Sequence, residues 1–236
     1  MRRLIAPALP ALLLLPASAQ AAERTWAIGS VERLRVETPV EVRVVTGGGN
    51  GVTARGDDAK ALATLDVTAS GGTLVVRRPG GRLAAPDTMH MVVTVRTPRI
   101  EGAALYAAAT VTIDGMKGDR VTLSVTGGGA LAVERIAATD LAATLAGDGA
   151  MTLAGRSADT RLIANGSGTI DAAALVADRL DVQALDTVRV TAAARDSARV
   201  NAIGDAAVVV SGRPACTVRT TGAAQVSCGA PSPPRR

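Results

Sequence analysis

The chain has 236 residues, of which 25 are Gly, none is Phe, and Trp, Tyr and His occur once each. That composition excludes a ring-filled core, a His-rich metal site and an aromatic carbohydrate platform, and leaves small and β-branched side chains that build thin layers. The formal charge is +5, all basic residues except Lys60 and Lys117 are Arg, and both signs are interspersed, so the concentrated charge and stacking rings of a nucleic-acid binder are missing.

Residues 1–21 read as a secretory signal. Arg2 and Arg3 open it, Leu4 to Pro16 form the apolar run, and Ala17-Ser18-Ala19-Gln20-Ala21 is a small-residue cleavage zone. The run is shorter than the about 20 apolar residues of a membrane span and is broken by Pro7, Pro10 and Pro16. Cleavage after Ala19 or Ala21 is expected, with no transmembrane segment in the mature chain. No Cys follows the run, which argues against a lipoprotein anchor. The expected location is the periplasm or the cell surface of a Gram-negative bacterium.

From 22 to 100, irregularly linked alternating segments predict strands that begin the fold: Val31-Leu34-Val36, Val40-Val42-Val44, Leu65-Val67, Leu74-Val76 and Met91-Val93-Val95. Gly47 to Gly51 reads as a turn, and Asp57 to Leu65 has room for a helical turn or two.

From 101 to 229 the chain repeats. Ser124-Val125-Thr126-Gly127-Gly128-Gly129-Ala130-Leu131, Thr144-Leu145-Ala146-Gly147-Asp148-Gly149-Ala150-Met151 and Ile163-Ala164-Asn165-Gly166-Ser167-Gly168-Thr169-Ile170 share small residues at a centre and two positions on, flanked by apolar alternation. Centres are assigned to Ala107, Gly127, Gly147, Gly166, Ala184, Gly204 and Gly222, with Gly129, Gly149 and Gly168 as the second turn positions. Two short strands per unit of 18 to 20 residues, joined at a tight Gly-containing turn, cannot bury an apolar side alone. Stacking successive units, about 4.8 Å apart, buries a continuous thin core. The predicted fold is an all-β solenoid.

Cys216 and Cys228 are the only cysteines. They lie six residues before and six after the last centre, with inward parity on opposite strands of the final coil. In an exported chain they form one disulfide that ties off the open end. Residues 230–236, with Pro231, Pro233 and Pro234, are expected to fray as a disordered tail.

Candidate chemistry is sparse. Asp140, Asp159 and Asp178 are spaced by 19 and 19, so they are expected to stack near one corner. Such a row offers oxygen ligands to Ca²⁺, or forms turns neutralised by Arg161, Arg179 and Arg199. Asp148, Asp171, Asp186 and Asp205 lie near the turn column at unmatched offsets and assemble no acid cluster. His90, between Met89 and Met91, lacks a nucleophile motif and reads as a strand-surface residue. Trp26 is expected to cover the cap and Tyr106 to point outward. Asn165-Gly166-Ser167 matches a glycosylation acceptor but coincides with a repeat turn. No catalytic residue, metal ligand or cofactor is assigned.

The ordered series Val40-Glu41-Val42-Arg43-Val44, Gly56-Asp57, Leu62/Leu65, Gly72-Thr73-Leu74-Val75-Val76 and Val93-Thr94-Val95-Arg96-Thr97-Pro98, followed by the Gly-Ser-Gly-like turns, resembles the autotransporter adhesin head GIN domain family, a domain of unknown function. The likeness covers roughly 30 to 229 and departs at Leu185-Asp186-Thr187 and Asp205-Ala206. The resemblance implies a right-handed β-helix, related in shape to pectin-lyase and acyltransferase solenoids without their catalytic residues, and a role in cell adhesion. The functional expectation is an exported, non-enzymatic interaction protein with an envelope or surface partner, protein or glycan, with room for homo-oligomerisation through a flat face. Its rivals are a polysaccharide-acting envelope enzyme and a periplasmic structural or envelope-stress module.

Overall fold

The computed structural model describes residues 22–79 and 91–230; residues 1–21, read above as a signal, His90 and residues 231–236 lie outside them. β1 (Ala22–Trp26), β2 (Arg33–Val36), β3 (Glu41–Thr46) and β4 (Gly51–Gly56) precede a five-residue helix, α1 (Ala59–Ala63). After it come β5 (Asp66–Ser70), β6 (Thr73–Arg77), β7 (Met91–Thr97), β8 (Gly102–Leu105) and β9 (Thr110–Ile113). The repeats form β10 (Met116–Thr126) and four long strands that each wrap most of a coil: β11 (Ala130–Gly147), β12 (Ala150–Gly166), β13 (Thr169–Asp186) and β14 (Arg189–Gly204). β15 (Ala207–Gly212), β16 (Ala215–Gly222) and β17 (Gln225–Ala230) close the series.

Stacked parallel strands make a β-solenoid of about six turns. Each repeat contributes to three sides. On the first face, β8, β10, the C-terminal halves of β11 to β14, and β16 pair in parallel. On the second face, β9, the N-terminal halves of β11 to β14, β15 and β17 do the same. A short third side carries Ile136–Ala138, Gly155–Ser157 and Leu175–Ala177 between them. Val, Leu and Ile at alternate positions face inward, because each strand's pleat sends successive side chains to opposite sides. Val121, Leu123 and Val125 on one wall meet Leu131 and Val133 on the other, all buried.

The N-terminal strands join the same sheets out of chain order. β2 lies between β6 and β8, and β3 between β7 and β9. The β2–β3 coil is thus second in space although first in sequence. β4 runs antiparallel to β7, β1 antiparallel to β4, and β5 antiparallel to β6. The solenoid's first edge therefore ends in antiparallel strands that break the parallel stacking. The α1 helix starts at Asp58, whose carboxylate accepts from the Lys60 amide at 2.7 Å, and it buries Leu62.

The turn column differs from the assignment by repeat spacing at one point. Gly127, Gly147, Gly166, Gly204 and Gly222 all have positive φ. Ala184 is not a turn residue: it is fully buried inside β13, in register with Ala164 and Ala202. The turn of that coil is at Asp186, which pairs with Gly166 and Gly204 and has φ 68°. A slip of two residues preserves inward and outward parity, so alternation alone does not detect it. Ala107 sits in the bend between β8 and β9, one coil above Gly127.

Asp186 is the one non-Gly residue at positive φ among the described residues. Asp tolerates this region better than most residues, whereas β-branched side chains do not. Asp186→Val is expected to cost about 1–2 kcal/mol, while Asp186→Gly leaves stability nearly unchanged. Urea unfolding of the two variants checks this; equal midpoints would reject the strain assignment.

Candidate functional site

On the first face, charged outward side chains of successive repeats line up in register. Its outermost column reads Arg120, Asp140, Asp159, Arg179, Ser197 and Ala215, from coil to coil. Two residues further along each strand the column reads Thr122, Ala142, Arg161, Asp181, Arg199 and Thr217. Between them run inward residues such as Leu141, Thr160 and Leu180. The two columns border a shallow groove of about 550 Å³ that crosses the strands along the solenoid axis.

Arg179 grips Asp159 through both guanidinium branches, with Nε 2.6 Å from Oδ1. Arg161 lies 3.7 Å from Asp181. Arg120, Asp140 and Arg199 belong to no ion pair among the described residues. The hydrogen bonds from Arg179, reinforced by its charge, hold the Asp159 carboxyl below its ordinary 3.8 and raise Arg179 in turn.

The sign of the resulting pH dependence follows. A carboxyl lowered by folding stabilises the native state fully above its unfolded value, and loses that contribution as pH falls through the lowered native one. The pair is solvent-exposed, so the contribution is small and screened by salt. Asp159→Asn is expected to lower the melting temperature slightly at neutral pH and low salt, with the difference vanishing in acid below the ordinary carboxylate range. Parallel melts at several pH values test this; a difference that grows in acid would contradict it.

The predicted row of three carboxylates does not form. Asp140 and Asp159 do stack, but the next residue in the column is Arg179, not Asp178. β11 and β12 are related by 19 residues in this column, and β12 and β13 by 20. Strand irregularities at the corners, between Val133 and Ile136 and between Thr152 and Ala154, change the residue count per coil. Asp178 instead sits at the corner, 3.0 Å from Arg195. Among the described residues there is no group of three or more His, Cys, Asp or Glu arranged to hold a metal.

The remaining acids have local partners or none. Asp171 accepts from the Ala173 amide at 3.1 Å and from the Thr191 hydroxyl at 2.9 Å. Asp148 and Asp205 are exposed at their turns. They do not converge on a common point with the groove carboxylates. Trp26 is half-buried on β1 with the Arg24 guanidinium 4.7 Å from its ring centre. Tyr106 is exposed, with Arg35 stacked on it at 4.6 Å. Asn165 is exposed beside the Gly166 turn.

Cys216 and Cys228 are bonded to each other, with Cα atoms 6.3 Å apart across the final coil. They stack below Ala198 and Val210. The groove was not recognised from sequence, although its signal is there: Asp159-x-Arg161, Arg179-x-Asp181 and Ser197-x-Arg199 recur at the repeat spacing with the same parity.

Residues 31–214 match the sequence family described as "putative auto-transporter adhesin, head GIN domain". The chain belongs to this family. No curated protein matches the chain. Solved structures of similar fold include a "putative adhesin" from Bacteroides fragilis, 19% identical with a TM-score of 0.81, covering 89% of this chain and 97% of that one. A "putative lipid binding protein" from Parabacteroides distasonis is 13% identical with a TM-score of 0.70, covering 87% and 95%. A "putative adhesin" from the same organism is 16% identical with a TM-score of 0.67, covering 88% and 96%. At these identities the likeness establishes the fold alone. Head GIN domain membership and the disulfide point to a protein outside the cytoplasm. No helix among the described residues is long and apolar enough to cross a membrane.

Proposed function

We propose that this head GIN domain protein is an exported, non-enzymatic binding module that engages an envelope or cell-surface partner, protein or glycan, through the first face of its solenoid. The observation that carries the reading is the groove itself: an open, multi-coil track of mixed Arg and Asp rather than a closed pocket. Such a track offers many polar contacts, each weak, spread over a rigid scaffold.

The groove chemistry supports binding over catalysis. A general acid needs a carboxyl held protonated near working pH, and Asp159 is held ionised by Arg179. Asp181 lies 3.7 Å from Arg161. The groove lining contains neither His nor Cys.

The test combines location and surface. Fractionation with protease accessibility on intact cells is expected to find the protein outside the cytoplasm. Purified protein is expected to capture envelope material, and Arg120→Glu with Arg161→Glu on the first face to weaken that capture. Arg189→Glu on the second face serves as the control. Capture lost equally by the second-face variant, or a cytoplasmic protein, would reject the proposal.

A further inference from the structure

The lower end of the groove differs chemically from its middle. Arg199 and Asn201 on β14 lie in register with Thr217 and Arg219 on β16. All four are exposed, and their common parity sends all four side chains outward from the first face. They make a two-by-two tile in which the arginines occupy one diagonal. Neither arginine belongs to an ion pair among the described residues. The other outward residues of these two strand segments are Ser197, Ile203, Ala215 and Thr221, so they contribute no carboxylate. Asp181, in register above Arg199, pairs with Arg161, so the two guanidiniums of the tile remain outside any ion pair among the described residues, with the Asn201 amide and the Thr217 hydroxyl beside them.

Unmatched donors on a rigid sheet suit an oxyanion, because planar guanidiniums bind carboxylate oxygens by short, charge-assisted hydrogen bonds. Higher in the same groove, Asp140 is an acceptor in no ion pair among the described residues and lies in register between Arg120 and Asp159. That mixture suits hydroxyl groups, which donate and accept. The groove follows the solenoid axis at about 4.8 Å per coil, a step close to the advance of an extended sugar chain. A lipid surface finds little to enter: the exposed large apolar side chains near the tile are Ile203 and Val218.

We propose that the first face binds an acidic polysaccharide along the solenoid axis, with Arg199, Asn201, Thr217 and Arg219 receiving a carboxylate of the polymer and the upper groove receiving its hydroxyls. This rests on the first face being the binding surface. The lower row of the tile lies beyond the residues matched by the family, so the assignment belongs to this chain's final coil. The Cys216–Cys228 bond, adjacent to Thr217, holds that row in place.

The test uses the purified full chain with its disulfide intact, titrated with polygalacturonate, with the same polymer methyl-esterified, and with phosphatidylglycerol vesicles. The acidic polymer is expected to bind, more weakly as salt rises, and the esterified polymer to lose most of the binding. Arg199→Gln with Arg219→Gln is expected to weaken polygalacturonate binding about tenfold or more with an unchanged melting temperature. Arg156→Gln, on the third side, is expected to change nothing. Equal binding of the esterified polymer, no effect of the tile variant, or capture by vesicles without polymer would overturn the assignment. If polygalacturonate fails while envelope capture still depends on Arg120 and Arg161, the tile is rejected and the first-face reading stands. If envelope capture is also indifferent to those two residues, the first-face reading falls as well.

Discussion

Gly149→Ala is expected to destabilise the solenoid by about 3 kcal/mol or more, because a methyl there has no room and no flexible neighbour to displace. A Cβ on Gly149 would lie 2.5 Å from the Gly129 carbonyl oxygen and 2.8 Å from that of Gly127. The Gly129 oxygen already accepts the Ala150 amide at 2.9 Å, one of the bonds that sets coil spacing. Relief requires one coil to move away from the next, weakening the ladder on both sides. Gly127 provides the contrast. It has φ 89° but nothing within 4 Å of its added Cβ, so Gly127→Ala carries only backbone strain of about 1–2 kcal/mol, partly offset by a less flexible unfolded chain. Urea unfolding of both variants decides between close packing and φ as the reason for glycine at these turns. A Gly149→Ala protein no less stable than Gly127→Ala would reject the packing argument.

Removing the Cys216–Cys228 bond is expected to cost roughly 3 kcal/mol, the chain-entropy value for a short closed loop. The loss should be local. In a stacked-repeat fold each coil contacts only its neighbours, and every residue of β16 is exposed, so beyond its ladders to β14 and β15 the final coil has little to hold it. Hydrogen exchange after reduction, or in a Cys216→Ser/Cys228→Ser variant, should rise sharply in 215–230 and modestly in β14 and β15, which that coil covers. Strands β10 to β12 should keep their protection. Uniform loss along the solenoid, or no change in the final coil, would contradict this account. The same treatment should weaken polygalacturonate binding, since Thr217 and Arg219 ride on β16.

Much of the architecture was legible in the chain because strand periodicity is local. Val125, Leu131, Val133, Leu145 and Met151 alternate with polar or small residues, and their parity alone places them inside. Recurrence of that pattern with glycine every 18 to 20 residues requires stacking, since no single unit encloses a core. The two cysteines, alone and with matching parity around the last turn, were enough to pair them. Position within a coil was less secure. Ala184 passed for a turn and Asp178 for a member of the carboxylate column, because corner irregularities add or remove residues without altering the alternation between corners.

The chain by itself determined the β-solenoid, its inward-facing residues, its glycine turns and its terminal disulfide, since each depends on parity, spacing or composition. Only the tertiary structure decided the order of the first coils and the register between coils. Insertion of β2 between β6 and β8, and of β3 between β7 and β9, depends on contacts distant in sequence that no local period encodes. The Arg–Asp groove depends on the same information. Charges 18 to 20 residues apart become neighbours only when the corner bulges have set the register, and a shift of one residue would have turned Arg179 away from Asp159.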